Sequence, residues 1–168
     1  MPNIEAPRGV DIEKIHMKLA EALSKRAGLI QRVQQLKTRL NDCLKVQEGD
    51  TPAETPEDVV KELDSTLGEL RRLIYLINLT NTATMVDGRS ITALLAERDT
   101  LAMRVKTLND GLQLLTARED RYNRNEIKYV RTMDINDFRR LCDKSSAQLR
   151  ELDLKIQGLG WIHDLVEE

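Results

Sequence analysis

The apolar residues of this chain recur at helical spacing over four long stretches. From about Asp11 to Lys45, Ile12, Leu19, Val33 and Leu40 fall on a seven-residue repeat. Between them lie Ile15, Ala22 or Leu23, Leu29 or Ile30, Leu36, and Cys43 or Leu44. Two apolar positions in seven is the spacing of a coiled-coil seam. Arg26 interrupts it. A second stripe runs through Val60, Leu63, Leu67, Leu70, Ile74 and Ile77, and continues geometrically into Asn81 and Thr84. A third, from about Ile91 to Tyr122, passes through Leu101, Val105, Leu108, Leu112 and Leu115. Arg98 and Glu119 sit at positions of it that are otherwise apolar. The fourth, Ile135 to about Leu159, carries Phe138, Leu141 or Cys142, Ser145, Leu149, Leu152 and Ile156. Gly158 and Gly160 loosen its end, where Trp161 and Leu165 are expected to pack back.

The breaks between stripes have local chemistry. Gly49, Pro52 and Pro56 end the first helix, and Thr55-Pro56-Glu57-Asp58 starts the second as a cap, a first-turn proline and two acids at the positive end of the dipole. Asp87-Gly88 is a turn signal, and Ser90 and Asp134 are helix caps. From Glu126 to Thr132 the period shortens to two, which predicts a short strand. Such a strand needs a partner. The extended piece around Thr84 to Val86, or the same strand of another subunit, is the candidate.

The pattern therefore predicts a mainly all-α fold. Long antiparallel, coiled-coil-like helices form a bundle, with a minor β element near 84–87 and 126–132. Residues 17–166 make one helical-bundle domain. Helices of about 30 residues span about 45 Å, and narrow seams of that length are expected to bury against a second chain as well. A homo-oligomer follows as an expectation.

Composition narrows the function classes. The 168 residues carry 26 Lys and Arg against 28 Asp and Glu, so the basic excess typical of nucleic-acid binders is missing. The densest basic patch, Arg118, Arg121, Arg124, Lys128 and Arg131 with Tyr122 and Tyr129, is diluted by Glu119, Asp120 and Glu126. No nucleic-acid partner is expected. Charged residues are 32% and aromatics 3%, a profile of long helices with narrow apolar stripes. Cys43 and Cys142 lie near seams and are expected to be buried free thiols. The first residues lack the apolar run of a signal peptide, and no stretch approaches the roughly 18 apolar residues of a membrane span. A cytoplasmic protein is expected; membrane association is possible but not favoured, since the polar helix faces mix both signs.

Motifs for chemistry are sparse. Glu13 and His16 have the Glu-x-x-His spacing of di-iron bundles, but no second copy accompanies them. Phosphate-binding glycine loops and zinc spacings do not occur. No cofactor, metal or catalytic residue is assigned, and no enzymatic activity is expected. What stands out is the run Asn78-Leu79-Thr80-Asn81-Thr82-Ala83-Thr84 on a seam otherwise built of Leu and Ile. It reads as a fraying helix end, as a buried polar layer specifying register or oligomer state, or as the lining of a small anionic-ligand or nucleotide site.

The segments "MKLAEALSKRA" from Met17, "KVQEGDTPAE" at Lys45, "INLTNTAT" with "DGRSITALLAERD", "DRYNRNEIKYV" and "LRELDLKIQGLGW" together resemble the septicolysin-like family of small uncharacterised bacterial proteins. The resemblance implies that residues 1–16 are an N-terminal extension; Ile12 and Ile15 keep its last part helical. Its name implies a membrane-active, pore-forming role. It also singles out a polar cluster of Asn78, Asn81, Thr84, Asp87, Arg89, Arg98, Asp99, Arg121, Tyr122 and Glu126, meeting at one end of the bundle.

Overall fold

A computed structural model describes residues 17–117 and 130–166. Four helices, α1 (Leu19–Leu44), α2 (Pro56–Ala83), α3 (Ile91–Thr116) and α4 (Ile135–Ile162), make up the fold, with a two-stranded sheet of β1 (Met85–Val86) and β2 (Arg89–Ser90) between α2 and α3. Helices α1 and α2 pack along each other as one hairpin, and α3 and α4 as another. The two hairpins meet mainly at their roots, where α2 passes into α3 through the sheet.

The helix starts follow their caps. The Thr55 hydroxyl accepts the Asp58 N–H, with Pro56 in the first turn. The Ser90 hydroxyl accepts the Ala93 N–H, and the Asp134 carboxylate accepts those of Asn136 and Asp137 at 2.8 and 3.1 Å. Each bond satisfies a first-turn donor that has no partner within its helix. Asp87 and Gly88 both adopt left-handed backbone, φ 51° and 77°. Two such residues in succession make the tight turn that matches the twist of a hairpin, so Met85 pairs with Ser90 and Val86 with Arg89.

This pairing corrects one expectation. The β element near residue 85 is present, but its partner is Arg89–Ser90, immediately beyond the turn. Val130 to Thr132 form no strand, and residues 126–129 lie outside the described residues. A local partner forms at the smallest loop-closure cost. Helix α3 also stops at Thr116, where Ala117 leaves the helical backbone, and the rest of its expected course to Tyr122 lies outside the described residues.

A root core joins five parts of the chain. Leu19 and Ala22 of α1, Leu73, Leu76 and Ile77 of α2, Ile91 and Leu94 of α3, Leu159 of α4 and Leu165 of the following segment form one buried cluster. That last segment runs antiparallel to the start of α1: Leu19 N–H donates to His163 O at 2.9 Å and Leu165 N–H to Met17 O at 2.8 Å. Leu165 packs back as expected, whereas Trp161 points outward at 66% exposure. At Gly160 α4 lies close to α1: a Cβ there would stand 3.4 Å from the Ala20 Cβ, in ordinary contact. In the second hairpin Phe138 lies over Gly111, 3.2 Å from where a Cβ would be.

A separate cluster of Leu36, Cys43 and Val59 fills the outer part of the first hairpin. Both cysteines are buried and unpaired. In α1 the deepest positions are Leu19, Ala22, Leu36 and Cys43, which settles two of the paired alternatives against Leu23 and Leu44; of the third pair Leu29 is half-buried and Ile30 exposed. In α2 the seam departs from its expected course. Val59, Thr66, Leu73, Ile77 and Thr80 are buried, while Val60, Leu67 and Ile74 remain 40%, 42% and 39% exposed. Thr66 lies outside the apolar pattern, and Thr80 belongs to the Asn/Thr run. Each bonds back to the carbonyl one turn earlier, Thr66 to Glu62 O and Thr80 to Leu76 O, both at 2.8 Å. With its hydroxyl satisfied, threonine occupies a buried position at little cost.

One side of the first hairpin is closed by ions. Lys25 pairs with Glu69 at 2.6 Å, and Arg32 and Arg39 both reach Glu62, the latter at 2.8 Å. Arg39 also donates through Nε to Glu54 at 2.9 Å. These bonds hold the Glu54 carboxyl below the usual glutamate range, chiefly through Arg39, and the Glu62 carboxyl likewise, through Arg32 and then Arg39. A depressed carboxylate pKa stabilises the fold above the unfolded-state value and loses that contribution on acidification. A Glu62→Gln variant is therefore expected to melt below wild type at neutral pH. The difference should close as pH falls below the ordinary glutamate value of 4.5. The effect is modest because these side chains touch solvent. Thermal scans of both proteins across pH check it, and a difference that persists in acid would contradict the assignment.

Candidate functional site

The turn between α2 and α3 places several of the singled-out residues near the root. Thr84 caps α2, its N–H bonded to Thr80 O and its carbonyl accepting from Ile91 at 3.2 Å. Asn81 is half-buried and Asn78 exposed. Asp87 at the turn accepts from Lys155 of α4 at 2.8 Å, and this ammonium lowers the Asp87 pKa. Arg89 bonds Glu97 at 2.7 Å. Arg98 is half-buried and turns to its neighbour Asp99, at 2.6 and 2.9 Å. Arg26 is half-buried on α1. Arg121, Tyr122, Glu126 and Glu119 lie outside the described residues, as do Glu13 and His16.

Among the described members of this set, Asp87, Arg89, Arg98 and Asp99 are thus engaged by ion pairs, two of them with Lys155 and Glu97 from outside the expected cluster. Beside them Arg89, Glu97, Arg104, Gln148, Glu151 and Lys155 border an open groove of about 590 Å³ between α3 and α4. Its cations alternate with carboxylates, so no single sign of field is concentrated there. Among the described residues no group of three or more His, Cys, Asp or Glu gathers as a metal site would need. No described helix is long and apolar enough to cross a membrane.

The polar residue at the centre of the root is Thr80, fully buried. Its hydroxyl donates to Leu76 O and accepts the Val166 N–H at 2.9 Å. Thus one residue of the Asn/Thr run ties the end of the chain to α2. The signal in the sequence is its place one helical turn beyond Leu76, on the flank of the stripe.

A second surface lies on the first hairpin. At 100° per residue, the apolar stripe of α2 spans about 200°, from Leu76 on one flank to Val60 on the other. The second hairpin and the C-terminal segment cover the flank of Leu73, Leu76 and Thr80. Glu62 and Glu69, with their ion pairs, lie toward that same flank. Val60, Leu67 and Ile74 lie on the opposite one. In α1, Ile30 is likewise 46% exposed. The doublets Val59-Val60, Leu73-Ile74 and Leu76-Ile77 were the signal in the sequence: a stripe that wide has room for more than one packing partner.

Two antiparallel helical hairpins joined at their roots by a tight β-turn define an all-α protein whose most distinctive surface is an outward apolar row. The profile of a family of unknown function, DUF6847, matches residues 26–165, and the chain belongs to that family. The fold is similar to the crystal structure of a functionally unknown conserved protein from Corynebacterium diphtheriae. The two are 39% identical, with 90% of this chain and 99% of that one covered and a TM-score of 0.83. Comparison with curated proteins gave no match. These findings overturn the resemblance to septicolysin-like proteins: neither the family nor the related structure is of that kind. Of the segments that carried it, those within the described residues fall on the helices, the loop before α2 and the Asp87-Gly88 turn.

Proposed function

We propose that this chain is a non-enzymatic interaction protein that assembles with copies of itself through the coiled-coil-like first hairpin. The observation that supports this is the row Val60, Leu67 and Ile74, left 39–42% exposed on the flank of α2 opposite Leu73, Leu76 and Thr80. Apolar residues scattered singly on a surface need no explanation, but a contiguous row at heptad spacing is the form of an interface. The near-neutral groove and the local pairing of its charges offer no comparable argument for a reaction.

Light scattering on a sizing column tests the reading. Wild-type protein is expected at a multiple of the 19.2 kDa chain mass. Ile74→Asp is expected to fall to the single-chain mass with its helical circular dichroism retained, because the position is not part of the root core. A wild-type monomer, or an Ile74→Asp protein of unchanged mass, would remove the proposal.

A further inference from the structure

Resting on that reading, we infer that the assembly is a two-fold dimer in which α2 packs antiparallel against α2 of a second copy, with the axis beside Leu67 and Gly68. Three observations converge on it. The first is the row itself. Val60, Leu67 and Ile74 are symmetric about Leu67, and extend about 21 Å along the helix. Antiparallel pairing sets Leu67 against its own copy and Val60 against Ile74, burying the row on itself.

The second is charge. One step round α2 from the row, at the same seven-residue spacing, stand Asp64 and Arg71. Both are exposed, and among the described residues neither has an ion-pair partner, although Arg32, Arg39, Glu54, Glu62 and Glu69 of the same hairpin are paired. The antiparallel arrangement centred between residues 67 and 68 brings Asp64 of each chain to Arg71 of the other. Parallel helices would set Asp64 against Asp64 and Arg71 against Arg71, which charge repulsion disfavours. A two-fold interface uses the same patch on both chains, so its charges must complement themselves under reversal. Asp64 and Arg71 do.

The third is Gly68. It lies in the middle of a 28-residue helix, where glycine is a poor helix former. Among the described residues nothing asks for it there, as nothing does for Gly28 and Gly158: its φ is not in the left-handed region, and an added Cβ would meet no atom within 4 Å. Gly68 lies about 100° round the helix from Leu67, beyond Asp64 and Arg71, and there its missing side chain leaves room for a second helix. In this dimer α1 and α2 of both chains form four helices around the joined apolar rows.

Two experiments decide it. In a Cys43→Ala, Cys142→Ala background, Leu67→Cys is expected to give a disulfide-linked dimer on mild oxidation, since a residue at the axis meets its own copy within disulfide reach. Val60→Cys alone is expected to stay uncrosslinked, but to link when mixed with Ile74→Cys. In the native-cysteine background Asp64→Arg is expected to weaken dimerisation about tenfold or more, and adding Arg71→Asp to restore it. A wild-type monomer would remove the assembly and this geometry together. An oligomer that links through Val60→Cys alone, or one indifferent to both charge changes, would leave self-assembly standing and overturn the antiparallel arrangement.

Discussion

Replacing Ile77 by alanine is expected to lower the unfolding free energy by about 2–5 kcal/mol. The residue is 1% exposed and sits where both hairpins meet, in one cluster with Leu19, Ile91, Leu94, Leu159 and Leu165. Truncation removes the transfer free energy of the lost carbons and leaves a cavity. Relaxation into it is restricted, because the walls belong to five separate parts of the chain. Leu79, two residues along on the same helix, is 37% exposed. Leu79→Ala should stay within about 1 kcal/mol of wild type. Denaturant unfolding followed by circular dichroism compares the two. A loss at Ile77 no greater than that at Leu79 would show that the roots are not the main joint of the fold.

The second large effect is expected at Thr80. Thr80→Val keeps shape and volume but removes both the bond to Leu76 O and the acceptor of the Val166 N–H. The threonine is fully buried and Val166 half-buried, so its amide loses that partner with water in partial reach. The cost is expected at the low end of the range of about 1–3 kcal/mol for an unsatisfied buried donor. Thr80→Ser keeps the hydroxyl and gives up one methyl, so it should be the milder change. Amide exchange at Val166 should quicken in the valine protein alone among the two. A valine variant as stable as wild type would mean that the chain end is held by Leu165 and the backbone pairing with Met17 without help from the hydroxyl.

Much of the architecture was legible from periodicity and caps. Thr55, Ser90 and Asp134 start helices because a side-chain oxygen beside a first turn satisfies an otherwise orphaned donor, a rule that needs no knowledge of the rest of the chain. Asp87-Gly88 closes a tight turn because both residues accept a left-handed backbone. The four helices and their antiparallel pairing follow from the four stripes and the short breaks. The strand expected at 126–132 was a weaker inference, since alternation over a few residues does not say which segment lies alongside. The turn at Asp87-Gly88 brought Arg89-Ser90 there first.

The candidate surfaces were less legible, for a definite reason. Periodicity locates an apolar stripe on a helix, but the stripe of α2 is wide enough to face two ways. Which flank is covered depends on contacts far apart along the chain. Thr80 and Val166 are separated by 86 residues, and their bond helps place the C-terminal segment on one side. Val60, Leu67 and Ile74 were therefore assigned to the inner seam, as the most regular heptad row, and the structure turns them outward. Likewise Lys155 for Asp87 and Glu97 for Arg89 could not be chosen from many equivalent charges without knowing how α4 lies against the turn. By itself the sequence determined the helices, their starts, the turn and the breadth of each apolar stripe, because those depend on neighbours within about one helical turn. Only the tertiary structure decided which part of each stripe is core and which is surface, because that depends on the docking of one hairpin against the other.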